Sequence, residues 1–175
     1  MKEFVSHSQA GQDKFIHDLL GDSGTFLDIG ACHPVELSNT YALEQLGWTG
    51  ICADNDPGAC KLLREQRTAK VIEGDATKVD WMKYLTSGVI DYLSADIDQA
   101  TLLFLRNFPL DKVRFRAITI EHDLYRNPPE VKREIYSILT RHGYIRVCED
   151  VRSQDLPFED WFVAPELVEK AKGIL

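Results

Sequence analysis

Carboxylates stand where the chain leaves its β-like runs. Asp28 precedes Ile29-Gly30-Ala31, Asp54 opens Asp54-Asn55-Asp56, Asp75 closes Glu73-Gly74-Asp75, Asp96 and Asp98 flank Ile97, and Glu121, His122 and Asp123 are consecutive. A carboxylate carries two acceptor oxygens, so it can hold paired hydroxyls, take a proton, ligate a hard cation or face a cationic ligand. Solubility alone would scatter such groups over any polar position. Their recurrence at the ends of runs points to one shared site, provided the fold brings those ends together.

The elements that must do so alternate. Phe15, Ile16, Leu19 and Leu20 form one helical stripe closed by Gly21, which predicts a helix over 11–20 within an N-terminal helical segment 8–20. Thr25–Ile29 is a β-rich run, and Ser38-Asn39-Thr40 offers N-cap chemistry for a helix through Leu46. Gly50–Ala53 precedes a helix that Pro57 can start, and Ala69–Ile72 precedes a helix around Val79–Leu85. Val89–Ala95 and Ala117–Ile120 lead into helices over Thr101–Phe108 and Glu130–Arg141. Tyr144–Cys148 and Asp160–Ala164 follow with no helix between them, so they are expected to pair antiparallel at one edge. The expectation is an α/β fold in one domain, 1–175: a Rossmann-like doubly wound sheet of seven strands with an antiparallel edge, core 25–164 and tail 165–175. In such sheets ligands bind beyond the carboxyl ends of the strands, where strand order reverses.

Composition sets the class. The chain of 175 residues fits one domain, and no apolar run approaches the roughly 20 residues of a membrane span. The first residues lack the apolar core of a secretory signal, so the expected location is the cytoplasm. Cys32, Cys52, Cys60 and Cys148 form no CxxC pair and read as buried free thiols. A net charge of −8 disfavours attraction to nucleic acid or an anionic membrane, which leaves a small acceptor as the expected partner.

A nicotinamide dinucleotide is the first competitor for the site. Its pyrophosphate needs G-x-G-x-x-G, whereas Gly30 is followed by Ala31-Cys32-His33-Pro34. S-adenosylmethionine has no phosphate and carries a sulfonium and an ammonium, which acidic strand ends favour.

Ser8-Gln9-Ala10-Gly11-Gln12-Asp13, Phe26-Leu27-Asp28-Ile29-Gly30-Ala31, Ser38-Asn39-Thr40, Gly47-Trp48-Thr49-Gly50-Ile51 and Asp96-Ile97-Asp98 follow in that order over about 8–164. In these motifs the chain resembles the FkbM-type methyltransferases, of the class I S-adenosylmethionine-dependent fold. It departs from the usual pattern at Cys32-His33-Pro34, at Asp54 in place of a glutamate and at Gln99 in place of a glycine. The resemblance implies S-adenosyl-L-methionine as cofactor and methyl transfer to a sugar or small-metabolite hydroxyl.

Roles follow on that basis. Asp54 is expected to accept the ribose hydroxyls, or else to cap the helix at Pro57. Gly30 and Ala31 let the backbone pass close to the methionine portion, Asp28 faces its amino group or braces the loop, and Asp75 meets the adenine amino group or serves a turn. Gln9 and Gln12 sit in the segment that the resemblance places over the cofactor. Candidates for the proton from the acceptor are Asp96, Asp98, Glu121 and His122, with His33 a further possibility. Asp96 and Glu121 are also the expected ligands of a divalent cation such as magnesium. Trp48, Trp81 and Trp161 read as core and not as a sugar platform. The competing readings are an N- or nucleotide methyltransferase, which the missing Asn/Asp-Pro-Pro-aromatic signature disfavours, and a cofactor-binding module without transfer.

Overall fold

The computed structural model describes residues 4–175. In chain order its main elements are α1 (Gln12–Leu20), β1 (Thr25–Ile29), α2 (Tyr41–Leu46), β2 (Thr49–Asp54), α3 (Pro57–Gln66), β3 (Lys70–Glu73) and β4 (Gly88–Ala95). Then come α4 (Thr101–Asn107), β5 (Val113–Glu121), α5 (Pro129–Arg141), β6 (Ile145–Ser153), β7 (Leu156–Val163) and α6 (Val168–Ile174). The sheet has seven strands in the order β3-β2-β1-β4-β5-β7-β6. The first five are parallel, and β7 pairs antiparallel with both β5 and β6. The expected α/β doubly wound sheet with an antiparallel edge is therefore the fold.

Alternation along the strands divides the core into two layers. Leu27, Ile29, Leu93, Ile118 and Ile120 pack with α4 and α5, through Phe104, Leu105, Ile135 and Leu139. Phe26, Tyr92 and Ala117 point the other way and meet Phe15 and Ile16 of α1, Leu43 of α2, Leu63 of α3 and Ala171 of α6. Asp28 lies between Leu27 and Ile29 and so enters the second layer as a buried carboxyl. Trp48, Trp81 and Trp161 are all buried, as expected of core residues. Gly50 is required by close approach, since a Cβ there would stand 2.3 Å from the Phe26 carbonyl oxygen.

Three local expectations are corrected, and the tail takes on a structure of its own. The N-terminal helix begins at Gln12 and not at 8 or 11, because Gly11 is left-handed with φ 83° and residues 6–8 are bound to Asp13. The predicted helix around Val79–Leu85 is only a 3-10 turn at Trp81–Lys83, with Trp81 buried and its indole donating to the Ala76 carbonyl at 3.1 Å. The tail 165–175 is ordered as a turn and α6, with Lys170 Nζ on the Leu19 carbonyl at 2.7 Å. Cys32 is exposed and Cys148 only half-buried, whereas Cys52 and Cys60 are buried as expected; all four thiols are free.

The β6–β7 hairpin is longer than expected. Ser153 pairs with Leu156 across a two-residue turn in which Gln154 and Asp155 have φ of 49° and 66°. Such turns usually carry Asn-Gly or Asp-Gly, so Gln-Asp gives no hairpin signal. Among the described residues no helix is long and apolar enough to cross a membrane.

Candidate functional site

Strand order reverses between β1 and β4, and the carboxyl ends of the parallel strands open there onto a cavity of about 520 Å³. Asp28, Glu36, Asp54, Asp75, Asp96 and Asp98 all line it, together with Gln9, Gly30 and Ala31. Among the described lining residues there is no Lys or Arg, and His33 alone can carry positive charge. The Cys32, Leu37 and Asp98 backbones on this lining have φ of 47°, 57° and 52°, a conformation L-residues adopt only when held there.

Asp54 ends β2 as a preset acceptor. Its Oδ2 accepts from the Cys32 amide and its Oδ1 from the Asp56 amide, each at 2.9 Å. The helix cap falls to Asp56, whose Oδ1 accepts from the Ala59 amide at 2.7 Å. Asp54 is thereby released from capping and turned to the cavity. Gly30 serves a different need from the one expected. With φ 84°, its missing Cβ would lie 1.7 Å from the Asp96 carbonyl oxygen, so that space is filled by the β4 backbone and not kept for a bound molecule.

Asp28 belongs to a buried polar chain behind the cavity. Thr40 Oγ1 donates to Asp28 Oδ2 at 2.6 Å and accepts from Arg67 at 3.0 Å. Arg67 also donates to Glu44 at 2.9 Å and to the Pro34 carbonyl at 3.2 Å. Burial raises the Asp28 pKa, and the Thr40 hydrogen bond and Arg67 charge offset part of that. Asp75 is exposed and committed to its turn. Thr77 donates to it twice and Lys78 stands 2.9 Å away, holding its pKa down to about 2.

Asp96 and Glu121 bring neighbouring carboxyl groups to the ends of β4 and β5. Burial raises both pKa values, and with the neighbouring charges of Asp96 and Asp123 it pushes Glu121 up to about 11. Glu121 Oε2 also accepts from the Asp98 amide at 2.8 Å. Glu121 lines a second cavity of about 180 Å³ with Gln9, Tyr125, Gln154, Leu156 and Phe158.

Two expected site residues lie elsewhere. His122 is buried; its Nδ1 accepts from the Leu124 amide at 3.1 Å and its Nε2 stands 3.3 Å from Asp160. Both ring nitrogens are engaged and the lining of neither cavity includes the ring. Gln12 is 1% exposed, with Oε1 on the Ala10 amide at 2.8 Å, and faces the interior instead of the cavity. The residue that positions the N-terminal segment is Asp13. Its carboxylate accepts from Ser6 Oγ at 2.5 Å, Ser8 Oγ at 2.6 Å and the His7 amide at 2.7 Å. Ser8 then bridges to Leu37, which carries Gln9 to the border of both cavities. The Ser-x-Ser pair seven and five residues before an aspartate was the available signal.

Glu159, across the sheet from Glu121, gives a pH signature. It is fully buried, Trp161 Nε1 donates to its Oε1, and burial raises its pKa to about 8. The folded state therefore keeps a proton that the unfolded chain releases near its ordinary value of 4.5. The neutral carboxyl's contribution is present in full below that value and is lost as pH rises to about 8, with a slope of about 1.4 kcal/mol per pH unit. Urea unfolding at pH 5 and pH 8 is expected to show Glu159→Gln losing less stability over that interval than the wild type. Parallel losses would mean that Glu159 is ionised in the fold.

No family model and no curated protein matches the chain by sequence. Solved structures match its fold. An rRNA methylase from Streptococcus thermophilus superimposes with a TM-score of 0.62 at 14% identity, over 93% of this chain and 99% of that one. A TehB-like S-adenosylmethionine-dependent methyltransferase from Corynebacterium glutamicum gives 0.59 at 14%, over 88% and 86%. M. jannaschii TYW2, in complex with AdoMet, gives 0.53 at 14%, over 93% and 79%. The fold is thus the Rossmann-like fold of these methyltransferases.

Proposed function

We propose that the chain is an S-adenosylmethionine-dependent methyltransferase of the FkbM type that methylates a hydroxyl of a sugar or small metabolite. The observation that carries the cofactor assignment is the charge of the cavity at the β1–β4 reversal, where Asp28, Asp54, Asp75, Asp96 and Asp98 converge with no described Lys or Arg. A pyrophosphate would be repelled there, and a ligand with a sulfonium and an ammonium but no phosphate would be attracted.

The residues present fit that ligand. Each Asp54 oxygen already accepts one backbone amide and keeps a second acceptor site, which suits it to a pair of ribose hydroxyls. The Gly30-Ala31 backbone and Asp28 border the methionine portion in this reading, Asp75 the adenine, and Gln9 closes over them. When bound, the cofactor supplies an electrophilic methyl group on sulfur. The chain has to hold the acceptor oxygen in line with that methyl and receive its proton. Asp96, at the end of β4 and on the cavity wall, is the group assigned to the proton; Glu121 positions it, and Asp98 stands at the acceptor side. The smaller cavity, joined to that one through Gln9, is assigned to the acceptor.

The similarity to an rRNA methylase does not extend the proposal to RNA. A net charge of −8 and a rim of carboxylates oppose a phosphate backbone.

S-adenosylhomocysteine, the demethylated cofactor, tests the reading. At a hundredfold excess over its Kd it should stabilise the fold by about 2.7 kcal/mol and raise Tm by roughly 5–10 °C, while NAD leaves Tm unchanged. A shift with NAD, or none with S-adenosylhomocysteine, rejects the proposal.

A further inference from the structure

We infer that Asp98, Glu121 and Asp123 bind a hard divalent cation, Mg2+ or Mn2+, at the junction of the two cavities. The starting point is Asp123. Its side chain is 1% exposed, yet neither carboxylate oxygen has a hydrogen-bond partner. Withdrawing a carboxylate from water without a partner is costly, and natural sites answer that cost with a cation or donors. The nearest cation is Arg126, whose Nη1 is 3.9 Å from Asp123 Oδ2 and already donates to Asp98 Oδ1 at 3.0 Å. That guanidinium is 57% exposed and is one positive charge against three carboxyl groups.

One oxygen from each of Asp98, Glu121 and Asp123 lies within 4.8 Å of the others. Around an octahedral ion bound at about 2.1 Å, adjacent oxygens stand about 3.0 Å apart and opposite ones about 4.2 Å, so the three oxygens would close to those spacings on binding. An all-carboxylate set selects a hard cation, and Mg2+ or Mn2+ would complete its shell with water. This set differs from the expected Asp96 and Glu121, because Asp96 is not among the three residues whose oxygens converge. The other cluster of ligand-type groups, His122, Asp150 and Asp160, is already paired. Lys132 stands 2.7 Å from Asp150, and Arg146 2.9 Å from Asp160.

Asp98 borders the cavity at the β1–β4 reversal and Glu121 the smaller one, so an ion between them would stand where an acceptor hydroxyl enters. Polarising that hydroxyl rests on the methyltransferase reading. Binding of the ion does not.

Electron paramagnetic resonance of Mn2+ with the full chain, free of other ligands, tests the site. The signal of the free ion should be lost on binding at one ion per chain and return on addition of Mg2+. Asp123→Asn and Asp98→Asn should each weaken binding about tenfold or more, and Arg126→Ala should not weaken it. Asp98 is exposed, so Asp98→Asn decides the matter if Asp123→Asn does not fold. No Mn2+ binding at millimolar concentration, or binding that Asp98→Asn leaves unchanged, overturns the inference. Mn2+ binding without a thermal shift from S-adenosylhomocysteine would keep the cation site and reject only the cofactor.

Discussion

Arg67→Met lowers the unfolding free energy by about 3–5 kcal/mol and Tm by roughly 10 °C or more. Arg67 and Glu44 have side chains 0% and 2% exposed, and their nitrogen and oxygen meet at 2.9 Å. Arg67 also holds the Pro34 carbonyl, Ser38 and, through Thr40, the buried carboxyl of Asp28. Methionine fills the volume but leaves Glu44 as a buried anion whose remaining donors come only from Thr68. Arg67→Lys keeps the charge without the planar fork, so its loss should fall between methionine and wild type. Denaturant unfolding of the three proteins checks this. A loss below about 1 kcal/mol for methionine would mean that the network is not an ion pair in the folded state.

Asp54→Ala raises the Kd for S-adenosylhomocysteine roughly a hundredfold while leaving the chain folded. A hydrogen bond to a charged group contributes about 1.5–3 kcal/mol, and Asp54 is assigned two of them to the ribose. The same substitution frees the Cys32 amide, so part of the loss comes from the loop that Asp54 braces. Asp54→Asn retains one acceptor oxygen and separates the effects: it should lie between alanine and wild type. Equal Kd values for all three proteins would remove Asp54 from the cofactor site.

The strand ends were legible because a parallel strand buried on both faces reads as an apolar run, and its end shows as Gly, Asp or Asn. That is why Asp28, Asp54, Asp75, Asp96 and Asp98 were found in the sequence and meet around one cavity. Roles that depend on partners distant in sequence were not legible. Nothing local marks Arg67 as the partner of Glu44, 23 positions earlier, or shows that the Asp96 backbone occupies the space beside Gly30. His122 and Glu121 are neighbours in sequence, but alternation along β5 sends them to opposite sides, one to Asp160 and one to the second cavity. Asp123 stood with Glu121 and His122 at a strand end but carried no role of its own there, and its burial without a partner is what sets it apart. The helix expected near Trp81 failed for a related reason, since one large buried side chain anchors the segment without a helical stripe.

Calorimetric titration of the full chain with S-adenosylmethionine is the most direct test of the central claim. The account predicts one site per chain with a micromolar Kd that Asp54→Ala weakens. A titration with no binding heat at several temperatures, together with an unchanged Tm, would contradict it.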